Sequence, residues 1–381
     1  MRFKARTFIA AVLLIIMPAS LGLAAPLIIT AKSAIVIEAA TGKVLYEKNA
    51  NNRSYPASTT KIMTLITALE AGNVNDIVTT PLSATSIEGS ALGLTLGEQL
   101  SMLDMLYGIM LISGNDATVA VADHISGSVA AFAQLMTDIA KMIGATNTHF
   151  TNSNGLPDVN HYTTAADMAK IAAYGYKLPL FSQIVATKEK IIPWPGREYS
   201  RELFNENRML WRYDGANGVK TGYTDAAGPC LVSAADRNGV QLIAVVFNSE
   251  KMWEDSTALL NYGFTQVHEQ TIIRQGDLLK TVKVLDGKNS DVVPLYAQNE
   301  IVIPVTEDDR EDFITVIDVP DKVKAPLESG QAVGRVKIIY QNQEIGSADL
   351  VVQSAIEKKS LFKSLWSSVQ NLLGFLTRNS A

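Results

Sequence analysis

A serine and a lysine three residues apart are the first groups in this sequence that could do chemistry. Ser58 and Lys61 begin the stretch with the strongest helical periodicity, residues 58–71. Side chains three positions apart share one face of a helix, so the Lys61 amine can reach the Ser58 hydroxyl. At a helix N-terminus, free backbone N–H groups and the helix dipole also stabilise an oxyanion. The pair predicts nucleophilic acyl transfer, and the alternative is an N-cap serine followed by a solvated lysine.

A hydroxyl and a carboxamide form a second motif. Ser113 and Asn115 come directly after the apolar helical run 110–112 and are separated by a glycine. From the end of a helix both side chains can project into a cleft, the hydroxyl to relay a proton and the carboxamide to hold an amine or a substrate amide. A plain turn between two helices is the alternative.

The third motif is a cation and a hydroxyl that precede a glycine. Lys220, Thr221 and Gly222 lie on a predicted strand that continues through Tyr223. A lysine and a threonine suit a substrate carboxylate, and a glycine lets a substrate backbone approach the strand. The motif therefore predicts a site for the carboxylate of a peptide, with a turn at a strand end as the alternative.

Together the motifs resemble those of the penicillin-binding protein and serine β-lactamase superfamily, which are SxxK, SxN or SDN, and KTG in that order. The sequence is most similar to one branch, the D-alanyl-D-alanine carboxypeptidases among the low-molecular-mass penicillin-binding proteins. The similar segments are 55–64 (YPASTTKIMT), 113–117 (SGNDA), 154–157 (NGLP), 161–165 (HYTTA) and 218–224 (GVKTGYT). The resemblance extends over roughly residues 30–355.

The resemblance implies roles for the first two motifs. Ser58 would attack the carbonyl between the terminal D-alanines of a peptidoglycan stem pentapeptide, form an acyl-enzyme and release D-alanine. Lys61 would be the base, which requires a pKa well below the usual value for lysine. Ser113 would pass the proton to the leaving amine, and Asn115 would orient Lys61 and the substrate amide.

The resemblance also implies how the substrate is held. Lys220 and Thr221, with Gly222 beside them, would bind the terminal carboxylate. The backbone N–H groups of Ser58 and Tyr223 would form the oxyanion hole. β-Lactam antibiotics would acylate the same serine and inhibit the enzyme. Trimming of stem peptides would limit the donors for cross-linking and so regulate cell wall biogenesis.

Three other functions remain as alternatives. A class A β-lactamase carries SDN and a deacylating glutamate, whereas this sequence has SGN and no glutamate between Glu98 and Glu189. We therefore expect slow release of a penicilloyl adduct. A transpeptidase would use an amine in place of water, and the residues alone do not exclude it. A catalytically idle wall-binding protein would be expected to lack Ser58, Lys61 or Lys220, and all three are present.

The composition argues against several other classes of function. The 33 basic and 38 acidic side chains among 381 residues give a net charge of −5, so no basic field points to nucleic acid. The single cysteine, Cys230, lies in an apolar run and is expected to be buried and not a nucleophile. The four histidines lack the spacing of metal ligands, and no cofactor or metal is implied. His161 is expected to hold its loop without a catalytic role.

The elements that must position these motifs indicate an α+β fold. A hairpin of residues 34–38 and 43–46 precedes helices, after which strands return as one sheet. The predicted helices are 58–71, 102–112, 115–125, 129–143 and 164–174, and the predicted strands of the sheet are 217–224, 229–235 and 240–248. Beyond about residue 266 short β-rich runs separated by turn residues predict a small all-β domain.

The sequence therefore predicts four segments. Residues 1–25 have the basic, apolar and small-residue regions of a secretory signal peptide. Residues 26–266 form the carboxypeptidase domain, residues 267–355 the β-rich domain, and residues 356–381 an amphipathic helix with lysines that associates with a membrane surface. We expect an extracytoplasmic protein held peripherally at the outer face of the cytoplasmic membrane.

Overall fold

A computed structural model of the chain describes residues 27–306 and 313–359. The predicted signal peptide lies outside the described residues, as does the predicted amphipathic tail beyond Lys359. A 3-10 helix, Ala57–Thr60, leads directly into the first α-helix. The α-helices are α1 (Lys61–Ala71), α2 (Leu82–Thr85), α3 (Met102–Leu111), α4 (Asn115–Ser126), α5 (Val129–Met142), α6 (Ala165–Gly175), α7 (Pro179–Ala186), α8 (Met209–Arg212) and α9 (Met252–Gln266).

The strands divide between the two parts of the chain. Those before residue 250 are β1 (Ser33–Glu38), β2 (Val44–Lys48), β3 (Ile77–Thr79), β4 (Gln99–Ser101), β5 (Glu189–Ile192), β6 (Arg201–Phe204), β7 (Ala216–Thr224), β8 (Gly228–Arg237) and β9 (Val240–Phe247). Those after it are β10 (His268–Ile273), β11 (Leu278–Leu285), β12 (Val292–Ala297), β13 (Ile301–Val305), β14 (Ile314–Asp318), β15 (Lys322–Lys324), β16 (Ala332–Tyr340) and β17 (Gln343–Val352).

The central sheet has the strand order β2-β1-β9-β8-β7, with every neighbouring pair antiparallel. Its apolar runs are continuous because both faces are covered. Ile35 and Ile37 belong to the core shared with the helical cluster, whereas Ala34 and Val36 face the core that includes Leu260 of α9. Successive side chains of a strand point to opposite faces, so one apolar run serves two cores.

The helical cluster surrounds α1. This helix is buried along most of its length and packs against α3, α4, α5, α6 and α7. A helix that is apolar on nearly all sides is stable only inside a domain. Lys61, the first residue of α1, is therefore drawn into the interior together with the apolar residues that follow it.

The C-terminal part is a small all-β unit with its own apolar core. It consists of a six-stranded sheet ordered β14-β16-β17-β12-β11-β15 and the pair β10-β13. The predicted α+β fold with a following all-β domain is confirmed. One boundary needs correction, because Ile356 is buried in this core and forms a bridge with Leu327, although we assigned it to the tail. Hydrogen bonds to the β unit therefore continue past residue 355, and the other boundaries remain predictions.

Where helices and strands of the peptidase part were predicted, the structure has them to within a few residues. The sequence interpretation left the remaining elements of this part unassigned, which are α2, the pair β3 and β4, α7, the hairpin of β5 and β6, α8 and α9. α9 contributes Leu259 and Leu260 to the core on its side of the central sheet.

Among the described residues, no single helix is both long enough and apolar enough to cross a membrane.

Candidate active site

Ser58 lies in the 3-10 turn that precedes α1, pressed against the edge of the central sheet. The turn begins at Ala57, whose φ is +47°, and Thr59 Oγ1 donates to the Pro56 carbonyl. β7 is the last strand of its sheet and packs against this turn. A Cβ on Gly222 would lie 3.0 Å from the Ser58 nitrogen and 3.1 Å from the Thr59 nitrogen, so a glycine here lets the strand and the turn approach closely. The outer edge of β7 and the serine therefore border one cleft.

Lys61 joins the first two motifs. Its Nζ lies 3.0 Å from Ser58 Oγ and 2.7 Å from Asn115 Oδ1. A third acceptor is the main-chain carbonyl of Asn154, also at 2.7 Å. The lysine is fully buried, so these three oxygens are its immediate polar surroundings among the described residues. The structure thus brings Ser58, Lys61 and Asn115 together as their spacing and order suggested.

The environment of Lys61 favours the neutral amine. Burial removes the hydration of the ammonium and lowers the pKa of Lys61 well below its ordinary value. The charge of Lys220 lowers the same pKa further, while Glu206 and Asp116 act in the opposite direction. A lysine in this setting can accept a proton from the neighbouring hydroxyl.

Ser113 is held in the short link between α3 and α4. Its φ of +64° is a conformation that non-glycine residues seldom adopt. The Ser113 Oγ is buried and has no hydrogen-bond partner among the described residues. The second motif therefore holds a hydroxyl whose hydrogen bonds are not used by the surrounding protein.

The second motif also fixes one wall of the cleft. Asn115 Nδ2 donates to the Glu88 carbonyl at 2.5 Å. Asp116 accepts from the backbone N–H groups of Leu92, Gly93 and Leu94 at 2.8 to 3.0 Å. Asn115 is therefore held at both ends of its amide, with Nδ2 on the Glu88 carbonyl and Oδ1 on Lys61.

Lys220 and Thr221 on β7 share a carboxylate that the sequence interpretation missed. Glu206 Oε2 lies 3.6 Å from Lys220 Nζ and accepts from Thr221 Oγ1 at 3.3 Å. Burial lowers the pKa of Lys220, and Glu206 opposes that effect. No motif marks Glu206, which lies in the segment 205–208 outside any predicted element, so only the fold reveals that it faces these two residues.

Tyr223 follows at the exposed end of the same strand. Its side chain is 64% exposed, and its hydroxyl donates to Asp225 Oδ1 at 3.0 Å. Its backbone pairs with Pro229 of β8. Gly222 and Tyr223 therefore leave the edge of β7 accessible beside Ser58, where a peptide backbone can add to the sheet.

A histidine contacts the 3-10 turn that carries Ser58. His161 is buried and its Nε2 lies 2.8 Å from Thr60 Oγ1. The Thr151 N–H donates to Nδ1, so Nε2 carries the proton and donates to Thr60. Burial lowers the pKa of His161 to about 4, which keeps the ring neutral.

Cys230 is buried as expected, and burial raises the pKa of its thiol to about 11.

Comparison with known proteins gives matches for both parts of the chain. Residues 22–251 match the family model for D-alanyl-D-alanine carboxypeptidase, and residues 268–358 match the model for the C-terminal domain of penicillin-binding protein 5. The chain is 35% identical over 339 residues to the D-alanyl-D-alanine carboxypeptidase DacF of Bacillus subtilis, with 86% of each chain covered. The D-alanyl-D-alanine carboxypeptidase DacA of Haemophilus influenzae is 34% identical, with 89% of this chain and 88% of that one covered.

Solved structures show the same relationship. Penicillin-binding protein 5 of Haemophilus influenzae superposes with a TM-score of 0.63 at 31% identity, covering 88% of this chain and 99% of that one. A mutant of the Streptomyces K15 DD-transpeptidase superposes with a TM-score of 0.60 at 33% identity, covering 62% and 99%. The second match is confined to a shorter part of this chain.

The fold and the site define a serine-type peptidase with the two-part architecture of penicillin-binding protein 5. The chain belongs to the D-alanyl-D-alanine carboxypeptidase family. Both the family and the hydrolase class predicted from the sequence are thereby confirmed.

Proposed function

We propose that this enzyme removes the terminal D-alanine from peptidoglycan stem pentapeptides through an acyl-enzyme on Ser58. The observation that carries the proposal is the burial of Lys61 between Ser58 Oγ, Asn115 Oδ1 and the Asn154 carbonyl. A lysine desolvated in this way can act as a base near neutral pH, and a serine paired with a base can act as a nucleophile.

The acylation step begins with attack by Ser58 on the scissile carbonyl. Lys61 takes the hydroxyl proton, and Asn115 keeps the amine directed at Ser58. The proton then passes to the leaving D-alanine nitrogen through Ser113, whose Oγ has no partner among the described residues. Water hydrolyses the acyl-enzyme in the second half of the reaction.

Recognition of the substrate rests on β7. Lys220 and Thr221 bind the terminal carboxylate, in the place where Glu206 now contacts both side chains. The backbone N–H groups of Ser58 and Tyr223 form the oxyanion hole. Gly222 leaves room for the substrate backbone between the turn and the strand.

Release of D-alanine from a tripeptide ending in D-Ala-D-Ala tests the activity. We expect the parent to release D-alanine and Ser58→Ala to lose at least about 10³-fold in kcat/KM, because the nucleophile is absent. Fluorescent penicillin should label the parent at one equivalent and leave Ser58→Ala unlabelled, with unchanged circular dichroism as the control. D-Alanine release by Ser58→Ala would refute the acyl-enzyme.

β-Lactams are proposed to inhibit the enzyme by forming a long-lived adduct on Ser58. The sequence has no glutamate between Glu98 and Glu189 to activate a deacylating water. Release of the adduct is then slow, and the enzyme is not an efficient β-lactamase.

Transpeptidation is the second candidate, because a DD-transpeptidase shares the fold of the peptidase part. The acceptor is then an amine in place of water. Stoichiometric penicillin labelling without D-alanine release from the tripeptide would favour this reaction over the carboxypeptidase.

We further propose that the protein works outside the cytoplasm, where its action limits the donors for wall cross-linking. The support comes from the sequence of residues 1–25 and from the apolar and basic pattern of the tail. The β unit separates that tail from the catalytic cleft in the chain.

Binding to vesicles tests the tail. Leu365→Glu with Leu372→Glu places two charges on the apolar face, so we expect the mature protein to leave vesicles that contain anionic lipid. The change Ser367→Glu with Asn371→Glu adds the same charge on the polar side of the predicted helix and should retain most binding. Cosedimentation measures both, and full binding by the leucine variant would disprove the anchor.

A further inference from the structure

A polar groove lies beside the cleft at the end where β7 turns into β8. Its volume is about 590 Å³. The walls come from the start of β1, the segment that leads from β2 toward the 3-10 turn, and the β7–β8 turn. The lining residues that carry positive charge are Lys32, Lys48 and Arg53, and the other polar side chains are three asparagines and four hydroxyl residues.

The three cations of the groove form no ion pair with a carboxylate among the described residues. Lys48 Nζ donates to the Ile29 carbonyl at 3.1 Å, and the Arg53 guanidinium stacks on Tyr162 at 4.0 Å. None of the residues that line the groove is acidic. In a chain of net charge −5, this cluster creates a local positive field.

Two carboxylates contact residues of the groove or lie in its turn. Asp255 accepts from the Thr30 and Ala31 N–H groups and from the Ser249 hydroxyl. Asp225, in the β7–β8 turn, accepts from the Tyr223 hydroxyl. Neither forms an ion pair with a cation of the groove, so the three positive charges are available to an anion.

The direction of the substrate connects this groove with the reaction, and this step rests on the proposed function. The terminal carboxylate lies at Lys220 and Thr221, and the scissile carbonyl lies at Ser58 and Tyr223. The rest of the peptide must then continue toward Thr224 and the turn beyond it. Ala226 on the groove wall is three residues past Tyr223. Three residues span at most about 10 Å, so the groove begins within that distance of Tyr223.

We propose that the groove binds a free carboxylate that the substrate peptide carries two or three residues before the scissile bond. Lys32 and Lys48 supply the charge, and Asn52 supplies an amide donor at the same surface, whereas the Asn49 amide donates to the Lys32 carbonyl. The groove thereby selects acidic peptide strands over neutral ones with the same D-Ala-D-Ala end. The groove strengthens the binding of such a peptide and leaves the chemistry at Ser58 unchanged.

Two peptides and two double variants test the groove. The peptides are acetyl-Glu-acetyllysine-D-Ala-D-Ala and its Gln counterpart, which differ only in the carboxylate. We expect the parent to favour the Glu peptide about fivefold in kcat/KM, through a lower KM, and to lose that preference in high salt. Lys32→Gln with Lys48→Gln should turn over both peptides equally, at the rate of the parent with the Gln peptide.

The matched control removes two exposed lysines of the β unit, Lys280→Gln with Lys283→Gln, and should keep the full preference. Arg53 is retained because it stacks on Tyr162. Equal turnover of the two peptides by the parent would overturn the proposal, as would a preference that survives in the groove variant. Absence of D-alanine release from either peptide would instead refute the carboxypeptidase activity.

Discussion

Replacing Lys61 by arginine is expected to lower acylation by penicillin about 10³-fold, because a guanidinium does not lose its proton and cannot serve as a base. The same replacement at Lys220 is the matched control. Both lysines are buried, so both sites receive the same larger group. At Lys220 the charge that binds a carboxylate is preserved, and we expect a loss of only about tenfold. Equal losses in the two variants would mean that the lysines do not differ in role.

The pH dependence follows from the same pair. The pKa of Lys61 is lowered by burial and by Lys220, so acylation should rise as the pH increases through that lowered value. It should decline when Lys220, whose pKa is lowered by burial, loses its proton. Glu206 raises the pKa of Lys220, so Glu206→Gln should move the alkaline limb to lower pH. Stopped-flow acylation across the pH range measures both limbs, and an unchanged alkaline limb would contradict this assignment.

Gly155→Ala is expected to destabilise the protein by about 3 to 5 kcal/mol and to lower acylation at least about 10²-fold. Gly155 has a φ of +93°, and a Cβ there would lie 1.9 Å from the Ala57 carbonyl oxygen. The same Cβ would lie 2.9 Å from Thr60 Oγ1. Ala57 directly precedes Ser58, and Asn154, whose carbonyl accepts from Lys61, directly precedes Gly155. Relief of the overlap by either segment therefore disturbs the arrangement of Ser58 and Lys61.

Gly144 is the matched control for Gly155, because it has a similar positive φ without the close contact. Gly144 has a φ of +88° and nothing within 4 Å of its Cβ position. Gly144→Ala should therefore cost only about 1 to 2 kcal/mol and leave acylation unchanged. Urea unfolding and penicillin acylation on both variants give the comparison. Similar losses of stability and acylation would show that the contact with Ala57 is not what limits residue 155.

Local patterns singled out side chains that the fold brings together, because each motif lies within a few residues. Ser58 and Lys61 need only one helical turn, and Lys220 and Thr221 are neighbours on one strand. The third acceptor of Lys61 is different, since it is a main-chain carbonyl of Asn154 and every residue has such a carbonyl. Residue types alone do not show which carbonyl the fold brings to the lysine.

Glu206 was missed for a related reason. Its carboxylate reaches Lys220 only because the segment before α8 crosses beside β7, and no periodicity marks that path.

Two helices that the sequence interpretation left unassigned, α7 and α9, do have weak signals in the sequence. Pro179 at the first turn of α7 is a favoured helix start, and Leu259 with Leu260 could have indicated α9. The fold class did not depend on them, because the strands and the helices around α1 already defined it.

The position of β1 in the central sheet governs when the enzyme can first react. β1 lies between β2 and β9, and Ser33 pairs with Phe247. β1 and β2 precede the other strands of the sheet in the chain, but a two-stranded hairpin has little stability by itself in water. The sheet can close only when the whole segment from β1 to β9 is present and folded. The site at Ser58 therefore depends on a strand that follows it by almost two hundred residues.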